Sequence, residues 1–306
     1  MTGPAIRVLA TGPSATIQDL GRPGWFCDGV GVAGAADPGS LRLANRLVGN
    51  DEDAAGIESV LGGLVLAALA PVTVAVTGAN APITVDGTPA AHSAVLRLSV
   101  GQRLQVGVAD AGLRVYVAVR GGVDVEPVLG SRSRDTLAGI GPDPLEAGTE
   151  LPVGPPPTRW PTVEVAPTPP LTAAPVLASV VLGPRHDWFT RPTDLFAGHW
   201  VVTDRLDRVG TRLARSDGAP RLIRADQREL PTEGMPLGAI QVPPSGEPVV
   251  FLADHPITGG YPVVGVVITR DVAAIAQARP GQHIVFRPHR TDPTAAPRTD
   301  RNGRPR

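Results

Sequence analysis

The chain has 306 residues, of which 42% are hydrophobic and 19% are charged, so it is long enough for two packed cores or one large core. Its formal net charge of −1 excludes the strong overall field that attracts nucleic acid or an anionic membrane. The 28 strongly basic residues are all arginine, which excludes lysine Schiff-base chemistry and a Walker-type phosphate loop. Neither nucleic acid nor a membrane is an expected partner.

Cysteine usage and the first residues of the chain favour a cytoplasmic location. Cys27 is the only cysteine, so no disulfide can form within the chain. Residues 1–11 lack the basic and apolar segments of a signal peptide. The uncharged stretch 59–85 is interrupted by Pro71, Gly78 and Pro82, which predicts buried strands and not a membrane helix.

Short β-branched runs bounded by Gly, Pro, Asn or Asp predict most of the secondary structure. The predicted strands are residues 63–69, 72–77, 83–85, 94–98, 103–106, 114–119, 176–182, 249–253, 263–269 and 283–287. One helix is predicted at 37–48, with Asp37 as N-cap, Pro38 at the first helical position and Gly49 just beyond the end. Shorter helices are predicted at residues 51–57, 193–196 and 271–278.

These elements predict a mainly β chain with two β lobes and a few short helices. We expect an N-terminal lobe at residues 1–151 and a C-terminal lobe at residues 176–289. Prolines are dense between the lobes, so residues 152–175 are predicted to form an extended connector. Residues 290–306 are rich in Pro, Thr and Arg, which predicts a disordered tail.

The usual catalytic signatures are missing from the sequence. Its six histidines show no metal-ligand spacing, and no nucleophile elbow is present. Polar residues instead fall in four glycine-rich clusters, of which the first three hold the candidate binding residues Gln18, Asp19, Arg22, Asn45, Arg46, Arg120, Arg132 and Ser133. Arginines beside glycines suit a carboxylate or phosphate. Turns held by local Asp–Arg pairs are the structural alternative.

The fourth cluster is the densest and spans residues 233–243 and 253–262. It holds four candidate catalytic residues, Glu233, Gln241, Asp254 and Tyr261, and three candidate binding residues, Thr258, Gly259 and Gly260. They lie on predicted loops beside buried strands, where functional residues tend to occur. Glu233 and Asp254 are candidates for general acid–base catalysis if burial raises the pKa of one of them.

The same clusters resemble the family of 5-oxoprolinase C subunits, which is also called allophanate hydrolase subunit 2. The matching segments are QDLGRPG at 18–24, LANRLVGN at 43–50, AVRGG at 118–122, LGSRS at 129–133, EGMPLGAIQVP at 233–243 and TGGYP at 258–262. Their order and approximate spacing agree with the family pattern. The chain departs from that pattern at residues 35–37, 204–210 and 255–257, which leaves the substrate open.

The resemblance implies a cyclophilin-like β-barrel architecture and an activity that needs a complex. The expected partners are the B subunit (allophanate hydrolase subunit 1) and the A subunit of such a complex. The expected reaction opens the small molecule 5-oxoproline to glutamate with ATP. Under this interpretation Arg22, Arg120 or Arg132 would hold anionic groups. The four candidate catalytic residues of the fourth cluster would line the reacting centre.

Two other functions are compatible with the same resemblance. Similar domains form the carboxyltransferase half of urea carboxylase, which would make biotin on a carrier the relevant cofactor. A family member can also act without catalysis, by binding its B-subunit partner and so relieving inhibition of a kinase. Fold alone does not select among these functions.

Overall fold

A computed structural model describes residues 3–215, 218–226 and 228–289 of the chain. The predicted disordered tail, residues 290–306, lies outside the described residues. The described part contains two α-helices and 20 strands, in agreement with the predicted mainly β class.

The N-terminal half is a sandwich of two sheets. Its strands are β1 (Pro4–Thr11), β2 (Ser14–Gln18), β3 (Gly56–Val60), β4 (Leu64–Ala68), β5 (Val72–Asn80), β6 (Ile83–Val85), β7 (Thr88–Ala90), β8 (Val95–Leu98), β9 (Arg103–Val106), β10 (Ala111–Val119) and β11 (Glu150–Pro152). One sheet has the order β11-β1-β4-β9-β6-β7 and the other has the order β2-β3-β10-β5-β8.

Alternating apolar residues from both sheets form the core of the sandwich. On the second sheet, Val74, Val76, Val115 and Val117 point inward and are fully buried. The intervening residues point to the opposite face, and helix α1 (Pro38–Val48) covers that face. Sheet-on-sheet and helix-on-sheet packing therefore bury both sides of β5 and β10.

Helix α1 begins and ends where its sequence predicts. The carboxylate of Asp37 accepts a hydrogen bond from the Ser40 backbone N–H at 3.1 Å, Pro38 is the first helical residue, and Gly49 is left-handed with φ 75°. An N-cap of this kind stabilises a helix by about 1 kcal/mol. The predicted helix at 37–48 is confirmed.

The C-terminal half is a closed barrel of seven strands. The C-terminal strands are β12 (Val176–Leu182), β13 (Trp200–Leu206), β14 (Gly210–Arg215), β15 (Glu233–Gly234), β16 (Ala239–Gln241), β17 (Val249–Phe251), β18 (Thr258–Gly259), β19 (Val263–Val267) and β20 (His283–Pro288). The barrel order is β12-β19-β16-β17-β14-β13-β20, while β15 and β18 form a separate two-stranded ribbon. Helix α2 (Thr269–Ala276) packs against the barrel core.

One predicted element is wrong in type. The sequence predicts a helix at residues 51–57, but Gly56–Val60 is strand β3, which pairs with β2 and β10. Pairing on both sides in the middle of a sheet outweighs the weak local helix preference. Short 3₁₀ helices lie at Phe26–Asp28, His186–Trp188 and Pro192–Phe196, and the last agrees with the helix predicted at 193–196.

The proline-rich segment is fixed to the N-terminal half. Arg97 pairs with Glu164 at 2.6 Å, and the Asn80 side chain bonds both backbone groups of Leu171. The Arg120 guanidinium donates to the Arg159 carbonyl and lies 3.8 Å from the Trp160 ring centroid. These contacts hold residues 159–171 as a strap along the sandwich.

Candidate functional site

The two carboxylates that the sequence suggests as an acid–base pair bind different arginines. Asp254 accepts two hydrogen bonds from Arg208, both at 2.9 Å, and two more from Thr136 at 2.7 and 2.8 Å. Glu233 instead pairs with Arg185. The structure therefore does not bring Glu233 and Asp254 together as one pair.

Asp254 belongs to a buried network between the sandwich and the barrel. The Arg208 side chain bonds Asp254 on one side and Glu58 of strand β3 on the other. Glu58 also accepts hydrogen bonds from the Tyr116 hydroxyl at 2.7 Å and the Ala36 backbone N–H at 3.0 Å. With the Asp254 side chain 0% exposed, this carboxylate joins the two halves and has no access to a substrate.

Glu58 and Arg208 of this network are held in their ionised forms. Burial on its own raises the pKa of Glu58, but Arg208 and Arg114 outweigh it, so the net pKa lies below the usual value. Burial likewise lowers the pKa of Arg208, but Glu58 and Asp254 reverse the direction and raise it. Arg208 and Arg114 balance the charges of Glu58 and Asp254, which suits a structural role.

The fourth cluster forms a separate, solvent-facing site at the two-stranded ribbon. Glu233 pairs with Gly259 and Gly234 with Thr258 in the ribbon. Arg185, which follows the end of strand β12, donates to Glu233 through Nε at 2.8 Å and also through Nη2. The Arg185 and Glu233 side chains are 37% and 27% exposed, so both can exchange their partner for a ligand.

Electrostatics keep Glu233 ionised at neutral pH. The hydrogen bond from Arg185 is the main cause that lowers the pKa of Glu233, and the reciprocal bond raises the pKa of Arg185. A carboxylate in this state accepts hydrogen bonds but is a poor proton donor. Arg185 remains available as a cation that suits a carboxylate or phosphate.

Gln241 and Tyr261 lie beside the ribbon. The Gln241 amide nitrogen donates weakly to the Tyr261 carbonyl at 3.4 Å. A Cβ on Gly259 would lie 2.7 Å from that same nitrogen, so glycine is needed for Gln241 to keep its place. The Tyr261 side chain points outward and the residue is 45% exposed. We call Arg185, Glu233, Gln241, Thr258, Gly259, Gly260 and Tyr261 the ribbon site.

The sequence motifs do not single out Arg185, although it is the charge partner of Glu233. It stands in Gly183-Pro184-Arg185, directly after a predicted strand. A charged residue in a turn after a buried strand is the signal that marks such a position. Its partner cannot be read from the sequence, because 48 residues separate the two.

Asp19 organises the first and third clusters as a closed loop assembly. Its carboxylate accepts hydrogen bonds from the Gly21 N–H, the Ser131 and Ser133 hydroxyls and the Arg132 N–H, at 2.5–2.7 Å. Four donors leave no free acceptor position for a ligand. The structural alternative for the first cluster, a turn, therefore describes Asp19 better than a binding role does. Arg22 is not among the donors to Asp19, so the turn is not held by the expected Asp–Arg pair.

Two of the three arginines expected to hold anionic groups, Arg22 and Arg120, are used inside the protein. Arg22 is 1% exposed and donates to the carbonyls of Ser133 and Val128, and burial lowers its pKa. Arg120 bonds the Val48 carbonyl at 2.7 Å and the strap. Arg132 is about as open as Arg185, with 35% of its side chain exposed, and its pair with exposed Asp124 at 2.8 Å can also exchange for a ligand.

The other candidate binding residues have local structural contacts. Asn45 is fully buried and its amide donates to the Ala54 carbonyl at 2.7 Å. Arg46 pairs with exposed Glu52 at 2.7 Å. The Gln18 amide donates to Thr16 and to the Arg134 carbonyl, both at 3.0 Å. These three residues fix the loops that follow α1 and β2.

The first and third clusters nevertheless border one cavity of about 580 Å³, and of their candidate binding residues Asp19 and Arg132 line it. Its lining comes from segments 19–23, 50–54, 121, 130–132 and 155–157. Asp19, Asp51 and Asp53 outnumber the one arginine of this lining, Arg132, which disfavours the expected anion. The ribbon site, where Arg185 faces the single ribbon carboxylate of Glu233, is therefore the better candidate for holding an anionic substrate.

The described part of the chain contains neither a cluster of metal-binding side chains nor a helix that could span a membrane. No group of three or more His, Cys, Asp or Glu side chains in residues 3–215, 218–226 and 228–289 is arranged to hold a metal ion. No helix in those same ranges has the length and apolar character to cross a membrane.

A family model and several relatives match this fold and these motifs. The model for the carboxyltransferase domain, subdomain A and B, matches residues 28–288. The chain is 34% identical to the C subunit of 5-oxoprolinase from Escherichia coli (strain K12), over 92% of this chain and 90% of that protein. The chain belongs to the carboxyltransferase-domain family of subdomains A and B, together with the 5-oxoprolinase C subunits.

Solved structures share the architecture. The crystal structure of TTHA0988 superposes with a TM-score of 0.83 at 35% identity, over 93% of this chain and 55% of that chain. The Kluyveromyces lactis urea carboxylase superposes with a TM-score of 0.85 at 28% identity, over 95% of this chain and 28% of that chain. This chain thus spans just over half of the one structure and about a quarter of the other. The expected barrel architecture is confirmed.

Proposed function

We propose that this chain is one component of an ATP-dependent 5-oxoprolinase-type hydrolase complex, with the ribbon site in contact with the substrate. The supporting observation is the 34% identity to the C subunit of 5-oxoprolinase, over 92% of this chain and 90% of the relative. The complex would convert 5-oxoproline, ATP and two water molecules to glutamate, ADP and phosphate. The A and B subunits of the complex would be the partners.

The ribbon site has the chemistry that such a substrate needs. 5-Oxoproline carries one carboxylate, one amide N–H and one amide carbonyl. Arg185 would bind the carboxylate, while ionised Glu233 would accept a hydrogen bond from the amide N–H. Gln241 and Tyr261 flank this position and supply further polar contacts. Glu233 would act as an orienting acceptor and not as the general acid.

Asp254 has no part in this proposal, because it is buried and bound by Arg208 and Thr136. ATP would be held jointly with a partner chain. The candidate residues Gln18, Asp19, Arg22, Asn45, Arg46, Arg120 and Ser133 would support the loops.

Carboxyl transfer is the second candidate, and two observations favour it. The family model is that of a carboxyltransferase domain, and the likeness to the Kluyveromyces lactis urea carboxylase covers 95% of this chain. In that case a substrate held at the ribbon site would accept the carboxyl group of carboxybiotin on a carrier protein, with biotin as the leaving group. Arg185 would then bind the transferred carboxylate.

A coupled assay tests the proposal. The chain is combined with the A and B subunits from the same source, and release of ADP and glutamate from 5-oxoproline is followed with and without this chain. We expect both products only when the chain is present. A stable complex that releases neither product would contradict the proposal, and 5-oxoproline-independent carboxyl transfer by that complex would establish the second candidate.

A further inference from the structure

Gln241 is a buried amide whose hydrogen-bonding capacity is largely unused. The residue is 9% exposed and ends barrel strand β16. Its Nε2 has two long contacts, at 3.4 Å to the Tyr261 carbonyl and at 4.0 Å to the Met235 sulfur, which is a weak acceptor. Its Oε1 accepts no hydrogen bond from the residues that the structure describes. An amide in this state points to a polar ligand, because buried polar groups are otherwise satisfied.

A β-bulge lies at the same residue. In the antiparallel pair of β16 with β19, Ile240 lies opposite Gly265 and Gln241 lies opposite Val263, so Val264 is an additional residue on β19. A bulge bends its strand and changes the direction of nearby side chains, and bulges recur beside functional sites. The register of the barrel is therefore interrupted where the amide is left with weak partners.

Gln241 and Glu233 approach the same face of the ribbon. Glu233 and Gly259 lie directly opposite each other in the ribbon, and directly opposed residues of an antiparallel pair point their side chains to the same face. A Cβ on Gly259 would lie 2.7 Å from Gln241 Nε2, so the amide occupies the space beside Gly259 on that face. An acceptor, the Glu233 carboxylate, and a donor, the Gln241 amide, therefore share one surface.

We propose that Glu233 and Gln241 together recognise the edge of a cyclic amide on which N–H and C=O lie side by side. The ring of 5-oxoproline holds both groups on one edge, whereas a linear secondary amide is trans and presents them on opposite edges. Glu233 accepts from the N–H and Gln241 donates to the C=O, while Arg185 binds the carboxylate. The inference rests on the proposed function for the identity of the substrate, and it makes Gln241 a specificity-determining residue.

Ligand discrimination tests this assignment. The complex assembled with the A and B subunits, without ATP, is titrated calorimetrically with 5-oxoproline and with N-acetylalanine, which has the same heavy atoms but an open ring. Wild type should bind 5-oxoproline at least about tenfold more tightly, since the trans amide leaves one of the two protein groups unpaired. Gln241→Met should bring the two affinities within about threefold of each other. A general structural defect would weaken both ligands equally and leave their ratio unchanged.

A glycine variant tests the same contact without removing the amide. Gly259→Ala should also abolish the discrimination, because its Cβ would displace the Gln241 amide. Gly234→Ala is the matched control, since a Cβ there would meet none of the described residues within 4 Å, its chain neighbours aside. Residue 234 also alternates to the opposite face of the ribbon from Glu233. Thermal unfolding verifies that the variants are folded, and Gly259→Ala decides if Gln241→Met is not.

The outcomes separate this assignment from the proposed function. Equal affinities of wild type for the two ligands, absence of 5-oxoproline binding, or discrimination that survives in Gln241→Met would overturn the assignment. Loss of discrimination in Gln241→Met, with discrimination retained in Gly234→Ala, would support it. Discrimination that depends on Gln241 in a complex that releases no ADP or glutamate would contradict the proposed function, while the recognition of cyclic amides stands.

Discussion

Two arginine–carboxylate pairs of the barrel half have the same chemistry but different surroundings. Arg208 and Asp254 are 7% and 0% exposed and lie against Glu58 of the other half. Arg185 and Glu233 are 37% and 27% exposed and lie at the ribbon. Both carboxylates come from the same sequence cluster, so burial and not residue type separates a structural pair from a candidate binding pair.

The difference has a physical origin. A buried pair has lost its water, so each ion depends on its partners, and removal of one leaves an uncompensated charge. An exposed pair contributes little to folding, because water and salt screen it and either ion can take a new partner. The Arg208 network thus holds the two halves together, while the Arg185 pair can respond to a ligand.

The largest expected effect follows removal of Arg208. Arg208→Met should lower the free energy of unfolding by about 3–5 kcal/mol, since Glu58 and Asp254 would remain buried without their shared cation. Urea denaturation followed by tryptophan fluorescence measures the change. An Arg208→Met protein within about 1 kcal/mol of wild type would show that the network does not hold the halves together.

Acid should weaken the same network. The pKa of Glu58 is lowered in the folded protein from its ordinary value of 4.5, so its contribution to stability is fully present above that value. It is lost as pH falls below 4.5 and through the folded-state pKa. Urea midpoints measured from about pH 7 down to about pH 3 should therefore fall on the acid side, and fall less steeply in Arg208→Met. If the urea midpoint fell equally steeply with pH in wild type and Arg208→Met, protonation of Glu58 in this network would not be the cause of the acid destabilisation.

Gln277 gives a smaller test of the contact between the halves. Its side chain accepts from the N–H groups of Leu113 and Arg114 at 2.8–2.9 Å and donates to Asp37 at 2.9 Å. Gln277→Leu should cost about 1–3 kcal/mol of unfolding free energy, because these buried polar groups lose their partner. Chemical denaturation measures it, with Gln282→Leu as a more exposed comparison. A larger loss of unfolding free energy in Gln282→Leu than in Gln277→Leu would contradict the role of Gln277 as a contact between the halves.

The smallest expected effect on folding belongs to Arg185. Arg185→Ala should leave the urea midpoint unchanged within error, because the pair with Glu233 is solvent-screened. The same variant should raise the KM for 5-oxoproline at least about tenfold in the assembled complex, since a charge-assisted contact would be lost. A destabilised Arg185→Ala protein with normal KM would make this pair structural as well.

The sequence predicts regular elements better than long-range contacts. The β-branched runs within Val72–Asn80 and Ala111–Val119 and the capped helix Pro38–Val48 are predictable, because their signals are local. Strands such as Pro4–Thr11 and Trp200–Leu206 escape prediction, since their mixed polar residues show no clear period. Their pairing is decided by neighbours distant in the chain.

The candidate site shows the same limit. Sequence motifs mark the segments around Glu233 and Asp254, but not which arginine each meets. Glu58 and Arg114 fall outside those motifs, although a charge inside an otherwise apolar strand signals a buried partner. Spatial pairing across 46 to 150 residues needs the fold.

The most direct test of the ribbon site is the rate of 5-oxoproline-dependent ADP release by the complex assembled with Glu233→Gln. We expect a rate at least about tenfold below wild type, with unchanged partner affinity and unfolding midpoint, because Gln keeps the shape but not the charge that orients the substrate. A rate within twofold of wild type would contradict the assignment of the ribbon site as the place where substrate binds.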